Sequence, residues 1–253
     1  MQEKVTGMVL SGIPIGEYDK RLVILTKERG KISAFARGAR RPKSSLLAAC
    51  EPFTFGEFQV YRGRDSYSIS SVQVENYFSE LREDLEDIYT GMYFCEVADY
   101  FTRENLDSKE VLKLLYQSLR ALKVPSLTRT LVRTIFEFKM IALNGEAPRL
   151  FACIGCGRKD ELTYFHRQEA GALCSACYEK EPYHGEGAFA IRSTTAYTLQ
   201  RIVADPVESL YTFRVSDAVL DELKQVVKYY FREKTDKEFP SGKMLDEGLV
   251  VLS

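Results

Sequence analysis

Residues 31–50 read KISAFARGARRPKSSLLAAC, and the order of patterns within this stretch decides the fold. Apolar and polar residues alternate over residues 31–37, directly after the turn at Gly30, which predicts a β-strand. Residues 44–50 place helix-forming residues behind serine, which predicts a short helix. Between them lies an irregular segment, residues 37–43, in which a glycine and a proline interrupt four basic side chains; we call it the basic loop.

The segments on either side of this stretch also carry the pattern of short β-strands. Two strands are predicted before it, at residues 5–13 and 22–26, and two after it, at residues 53–61 and 67–74. Five strands with a short helix between the third and the fourth is the layout of an OB-fold barrel. We therefore predict an α+β protein of several domains, in which residues 1–79 form an OB-fold nucleic-acid-binding domain.

Beyond residue 79 the sequence has helical patterns. Asp107 and Glu110 form a capping box, which predicts the start of a helix. Apolar residues at helical spacing predict further helices over residues 194–203 and 216–232. The expected α-helical domain consists of residues 80–149 and 181–253.

Four of the six cysteines form two pairs of the type Cys-x-x-Cys. Cys153 and Cys156 are followed, after seventeen residues, by Cys174 and Cys177. Two such pairs at this separation fit a four-thiolate zinc site. Four thiolates complete the tetrahedron and leave no position for water, so we expect one structural Zn²⁺ in a segment spanning residues 150–180. A redox pair or disulfides are the alternatives, and neither explains two pairs in one short segment.

Charge is unevenly distributed along the chain. The total is nearly neutral, with 35 basic and 36 acidic residues among 253, which excludes a uniformly basic protein. A local positive patch can still bind a polyanion. Between residues 20 and 43 a single acid, Glu28, stands against nine basic residues: Lys20, Arg21, Lys27, Arg29, Lys31, Arg37, Arg40, Arg41 and Lys43.

The predicted barrel combines this basic stretch with aromatic residues. OB-fold barrels bind single strands by stacking bases on aromatic rings while basic side chains follow the phosphates. Core packing is the alternative for each ring, and for Phe35 the two interpretations are equally open. The candidate DNA-binding residues are Lys20, Arg21, Phe35, Arg37, Arg40, Arg41, Lys43, Tyr61, Arg62, Arg64 and Tyr67.

Motifs for catalysis and for membrane insertion are missing from the sequence. It has no Walker A motif, no Gly-x-Gly-x-x-Gly after a strand and no recognisable nucleophile with its base. A binding protein is therefore favoured over an enzyme. No apolar run approaches the ~20 residues that span a bilayer, and we expect a cytoplasmic protein without membrane contacts.

Five short motifs in the first part of the chain resemble the RecO family of recombination mediators. They are GMVL at residues 7–10, DKRL at 19–22, GKI at 30–32, RGARRPKS at 37–44 and EPF at 51–53. The helical second part and the cysteine quartet are similar to those of the zinc-bearing members. The resemblance covers nearly the whole chain.

This resemblance implies a function in DNA repair and homologous recombination without an enzymatic activity. RecO-like proteins bind single- and double-stranded DNA, anneal complementary strands and, with RecR, load RecA onto DNA coated by single-strand binding protein. We expect such a protein to associate with the nucleoid during repair. Arg129 and Arg133 lie one helical turn apart and are candidate partner-binding residues, with a surface salt bridge as the alternative.

Two other functions fit parts of the sequence. An RNA-binding or transcription-associated module can also combine an OB-fold with a zinc ribbon. A zinc-dependent hydrolase would need a metal ligand position that is open to water. A preference for RNA would indicate the first, and loss of activity on chelation without unfolding would indicate the second.

Overall fold

The computed structural model describes residues 2–64, 66–180, 182–185 and 187–248. The chain divides into two units. Unit 1 consists of residues 1–124 and 238–253, and unit 2 of residues 125–237. None of the helices in the described ranges is both long and apolar enough to cross a membrane.

Unit 1 is built on a closed barrel of five strands. Its strands follow the order β1-β2-β3-β5-β4, and β3 pairs with β5 in parallel while the other pairs are antiparallel. A short helix lies between the third and fourth strands, so the predicted OB-fold is confirmed. The elements are β1 (Gln2–Ile15), β2 (Asp19–Thr26), β3 (Gly30–Ala36), α1 (Leu46–Ala49), β4 (Phe55–Arg62) and β5 (Tyr67–Asn76).

The barrel interior is filled by one side chain in every two along each strand. Leu22 and Ile24 from β2, Ile32 from β3 and Phe58 from β4 are buried in one cluster, which Leu46 of α1 joins. Because alternate strand residues point to opposite faces, the residues between them lie on the outer face of the barrel. Two helices that follow the barrel in the chain pack on part of that face, and Met8 and Leu25 are fully buried. Burying a side chain such as Phe58 contributes about 1.5–3 kcal/mol to the free energy of unfolding.

The helices of unit 1 include a segment from the end of the chain. A short 3-10 turn (Ser79–Glu83) leads into α2 (Leu85–Phe101), which packs against β1 and β2, and α3 (Lys109–Ala121) follows. The last helix described, which we number α8 (Pro240–Asp246), returns to α2.

Aromatic and polar contacts fix α8 on α2. The ring of Phe239 lies 5.7 Å from that of Tyr93 and 5.8 Å from that of Tyr100. Glu96 accepts a hydrogen bond from the hydroxyl of Ser241 at 2.7 Å. A Cβ at Gly242 would approach the Tyr93 ring to 2.8 Å, so only glycine allows this close packing.

Unit 2 combines helices with a small sheet that holds the cysteine segment. The sheet has the strand order β7-β6-β8 and is antiparallel. The predicted helices at 194–203 and 216–232 are present within one or two residues of their expected ends. The elements are α4 (Arg129–Leu143), β6 (Leu162–His166), β7 (Gly171–Cys174), α5 (Ser175–Tyr178), β8 (Ala188–Ala190), α6 (Ser193–Ala204) and α7 (Asp217–Lys234).

A buried lysine connects two helices of unit 2. The ammonium of Lys139, on α4, donates hydrogen bonds to the carbonyl oxygens of Val203 at 2.9 Å and Asp205 at 2.7 Å, where α6 ends. Carbonyl groups at the end of a helix have no partner within the helix. Lys139 therefore supplies two of the missing donors.

We expect Lys139→Met to lower the free energy of unfolding by about 2–3 kcal/mol, because two carbonyl groups lose a charged donor. Urea unfolding monitored by circular dichroism measures the change. Lys228→Met, on the exposed face of α7, is the matched control and should be nearly neutral. Equal midpoints for the two variants would contradict the role of Lys139.

Candidate nucleic-acid interface and metal centre

The basic loop is anchored to the barrel by a buried alanine. Ala39 is part of the barrel core, and its neighbours on both sides are exposed or partly exposed. Gly38 has φ +65°, which turns the chain back after β3. Its N–H donates to Oδ1 of Asp19 at 2.7 Å, so the loop is also bound to the start of β2.

Further hydrogen bonds join the basic loop to the turn between β1 and β2. The N–H of Arg40 donates to the carbonyl of Tyr18 at 2.8 Å. The guanidinium of Arg40 donates to the carbonyls of Gly16 and Glu17, both at 3.2 Å. The two loops therefore form one continuous surface at this edge of the barrel.

Seven of the nine basic side chains between residues 20 and 43 fall into two groups. Arg37, Arg40, Arg41 and Lys43 of the basic loop are exposed, and none has a carboxylate partner within the described part of the chain. Their positive charge is available to an anion. Three others are neutralised by acids: Lys20 by Glu51 at 2.5 Å, Arg29 by Glu3 at 2.7 Å and Lys31 by Asp99 at 2.8 Å.

Lys20 was expected among the exposed DNA-binding residues, but in the structure it forms an ion pair and is largely buried. Its side chain is only 12 % exposed and is held by Glu51 from the segment after α1. The pairing is between residues far apart in sequence, which the basic run alone could not indicate. Lys20 connects β2 to the segment after α1 and does not belong to the exposed charges of the basic loop.

Strand register brings three of the candidate residues into one row on the outside of the barrel. Ile13 pairs with Arg21, Arg21 with Phe35, Phe35 with Ser68 and Ser68 with Tyr61. Directly opposed residues of a sheet share a face. We call these five residues the outer row; its side chains are exposed or partly exposed.

Tyr67 lies on the other face of the sheet, which corrects the expectation that it contacts DNA. It is 2 % exposed, belongs to the barrel core and places its hydroxyl 3.4 Å from Oε1 of Glu104. Burial raises the pKa of this hydroxyl. Tyr67 is one residue from Ser68 of the outer row, and that single step points its ring inward.

Arg62 and Arg64 are exposed at the turn between β4 and β5, at the end of the barrel that carries Tyr61.

Tyr18 belongs to the same surface as the basic loop, although the sequence alone did not single it out. Its ring lies under the guanidinium of Arg41, with Cζ 5.3 Å from the ring centroid. The available signal was an aromatic residue in the turn between the first two predicted strands.

Arg129 and Arg133 lie on α4 in unit 2. Arg133 forms an ion pair with Glu137, with Nε 2.7 Å from Oε1, one helical turn away. A salt bridge, the alternative to partner binding, is thus present for Arg133, with a carboxylate that is largely buried and not at the surface.

The four cysteines of the two pairs converge on one point. Their sulfur atoms all lie within 4.8 Å of one another, an arrangement that could hold a metal ion. The second pair lies at the junction of β7 and α5, and the first lies in the loop before β6. A Cβ at Gly155 would approach Sγ of Cys177 to 3.0 Å, so glycine permits the approach of the two pairs.

Thiols so close together influence one another's ionisation. Burial opposes the thiolate of Cys153, but backbone N–H groups, first that of Cys174, outweigh it and lower its pKa to about 6. The S–H of Cys177 donates to the neighbouring sulfurs, first that of Cys156, and these hydrogen bonds raise the pKa of Cys177 to about 12. The Sγ atoms of Cys156 and Cys174 are 3.8 Å apart, far beyond the ~2.05 Å of a disulfide. A cation bound by all four thiolates would compensate their repulsion, and soft sulfur ligands in this number fit Zn²⁺.

Comparison with known proteins agrees with this architecture. A family model described as "Recombination protein O N terminal" matches residues 1–78, and one described as "Recombination protein O C terminal" matches residues 82–243. The chain is 33 % identical over 237 residues to a DNA repair protein RecO of Acetivibrio thermocellus, with 93 % of each chain covered. It is 30 % identical to the Alkaliphilus metalliredigens protein of that name, over 92 % of this chain and 94 % of the relative. It is 28 % identical to that of Bacillus subtilis, over 98 % and 95 %.

The barrel, the helical part and the matches over almost the whole length define a DNA repair and recombination protein. Proteins of this class act as mediators and not as enzymes, in agreement with the sequence-based expectation. The chain belongs to the RecO family.

Proposed function

We propose that this chain binds single- and double-stranded DNA with the outer face of its barrel and anneals complementary strands. With RecR it helps to load RecA onto DNA coated by single-strand binding protein, in the cytoplasm and at the nucleoid during repair. The basic loop is the observation that carries the proposal. Its four cations have no carboxylate partner among the described residues and project from an edge that is fixed by hydrogen bonds.

Annealing needs the neutralisation of two phosphate backbones and no nucleotide hydrolysis. Basic side chains that replace counterions release them to the solvent, which favours binding at low salt. Arg37, Arg40, Arg41 and Lys43 supply such charges beside the outer row. Arg62 and Arg64 extend the positive surface at the end of the barrel. The proposed DNA-binding domain is therefore residues 1–79, with Arg21, Phe35 and Tyr61 beneath the strand.

The four cysteines are proposed to hold one structural Zn²⁺. Cys153, Cys156, Cys174 and Cys177 would complete its coordination and leave no open site for a substrate. The ion would join the loop before β6 to the end of β7, in the proposed zinc segment at residues 150–180. Its contribution is then to the stability of unit 2.

We propose that RecR engages the barrel or its loops, and that the acidic tail of single-strand binding protein binds the helical domain, residues 80–149 and 181–253. Arg129 and Arg133 are the proposed residues for the tail. A carboxylate of the partner would have to compete with Glu137 for Arg133.

Strand annealing tests the proposed function directly. Two complementary DNA strands, each labelled with one member of a fluorophore pair, are mixed with the purified chain, with and without single-strand binding protein. We expect the chain to accelerate duplex formation in both cases. Failure to accelerate annealing at any salt concentration, or a clear preference for RNA over DNA in binding, would contradict the proposal.

A further inference from the structure

The edge of the barrel that carries the basic loop also exposes apolar side chains. Ile13 is 57 % exposed, Ile15 37 % and Tyr18 41 %. We call these three residues the apolar tip. They lie at the end of the β1–β2 hairpin, where β1 has passed its last pairing with β4 and is paired with β2 alone.

Basic side chains flank the apolar tip, and the hydroxyl of Tyr18 interacts with the carboxylate of Glu17, which raises its pKa. Ile13 is paired with Arg21 across the hairpin, and Tyr18 is next to Arg40 and Arg41 of the basic loop. A protein partner with a wholly apolar patch would leave these cations unpaired. A single strand of DNA satisfies both parts of the surface, because its phosphates attract the cations and its unpaired bases offer apolar faces.

Tyr18 is held in a defined position before any ligand binds. Its carbonyl accepts the N–H of Arg40 at 2.8 Å, and the guanidinium of Arg41 covers its ring at 5.3 Å. Gly16, with φ +56° and no atom within 4 Å of a Cβ at this position, leaves the approach to the turn open. A fixed ring loses little conformational entropy when a base stacks on it.

We propose that Tyr18 is a stacking platform for an unpaired base, with Ile13 and Ile15 as its apolar flank. The platform gives the chain a preference for single-stranded over double-stranded DNA, because a duplex keeps the faces of its bases covered. This inference rests on the proposed DNA binding and extends it from the phosphates to the bases.

A single tryptophan tests the contact, because the chain contains no Trp. Tyr18→Trp places the only indole at the platform. Tyr77→Trp is the matched control, since Tyr77 is 44 % exposed and follows the opposite end of β5 from Ser68. The probes are an oligothymidylate and an abasic strand of the same length, which has the phosphates without the bases.

We expect the oligothymidylate to quench the fluorescence of the Tyr18→Trp protein in a saturable manner, whereas the abasic strand binds without quenching. The Tyr77→Trp protein should show no saturable quenching with either strand. Equal responses from the two tryptophans, or equal quenching by the two strands, would overturn the inference.

The second test measures the affinities of the variants for single-stranded and for duplex DNA. Tyr18→Ala should weaken oligothymidylate binding by between about 5- and 150-fold, the range for loss of one base–aromatic stack, and Tyr18→Phe should restore it. Binding of a blunt duplex should change less than about two-fold, since it involves phosphates alone. An equal loss for single strand and duplex would overturn the platform while leaving the proposed DNA binding in place. A wild-type chain that binds neither DNA would overturn both.

Discussion

Reversal of two charges, in Arg40→Glu/Arg41→Glu, is expected to weaken binding of single-stranded DNA by about 10- to 100-fold at low salt. Both side chains are exposed, and neither has a carboxylate partner among the described residues, so their substitution removes charge from the proposed strand path. The slope of log K against log salt should fall by about two, one for each lost phosphate contact. Fluorescence anisotropy at several salt concentrations measures both quantities.

The matched control changes the net charge of the protein by the same amount, at two lysines outside the basic loop. Lys109→Glu/Lys113→Glu alters two exposed or partly exposed lysines on α3 of the same unit. This variant should retain binding within about three-fold, because neither lysine belongs to the basic loop or the outer row and salt limits the range of a surface charge. Tight binding by the Arg40/Arg41 variant at low salt would show that the basic loop is not the DNA contact.

Removal of two thiolates, in Cys153→Ser/Cys174→Ser, should release the metal and unfold the zinc segment. Structural zinc contributes apparent free energies of about 10–16 kcal/mol in zinc-finger peptides, as much as the whole stability of a domain. The two sulfurs come from different pairs, so the loop before β6 and the end of β7 lose their connection. Mass spectrometry under native conditions and circular dichroism measure the metal content and the loss of structure.

Cys50 and Cys95 serve as the internal control for this prediction. Both are buried in unit 1, neither belongs to the cysteine cluster, and burial raises the pKa of both thiols, that of Cys50 to about 11. Cys50→Ala/Cys95→Ala should keep one zinc per chain. Wild-type protein purified without chelator that carries no metal would rule out the zinc site.

Features with a local signature could be predicted from the sequence. The OB-fold could be predicted because apolar and polar residues alternate in five short segments separated by turns. The cysteine cluster could be predicted from the spacing of the two Cys-x-x-Cys pairs. The strands β6, β7 and β8 escaped prediction because each has only three to five residues, too few to establish a period.

The face of a strand on which a side chain lies, and the residue with which it forms an ion pair, depend on tertiary structure. Tyr67 was expected at the surface beside Arg62 and Arg64, but strand register turns it into the core, and a shift of one residue is enough to reverse this. Lys20 is neutralised by Glu51, which is thirty-one positions away, and a local sequence pattern does not indicate a pairing at this distance. The contacts of Tyr18 with the basic loop depend on the tertiary structure, in which this loop folds back against the β1–β2 turn.

The return of α8 to α2 has a consequence for the synthesis of the protein on the ribosome. The barrel and α2 emerge first, yet the aromatic rings of Tyr93 and Tyr100 meet Phe239 only when the segment that carries Phe239 has left the exit tunnel. Throughout translation of unit 2, this apolar face of α2 lacks its native cover. We therefore expect a nascent chain that stalls before residue 238 to expose this face of α2 to chaperones and proteases.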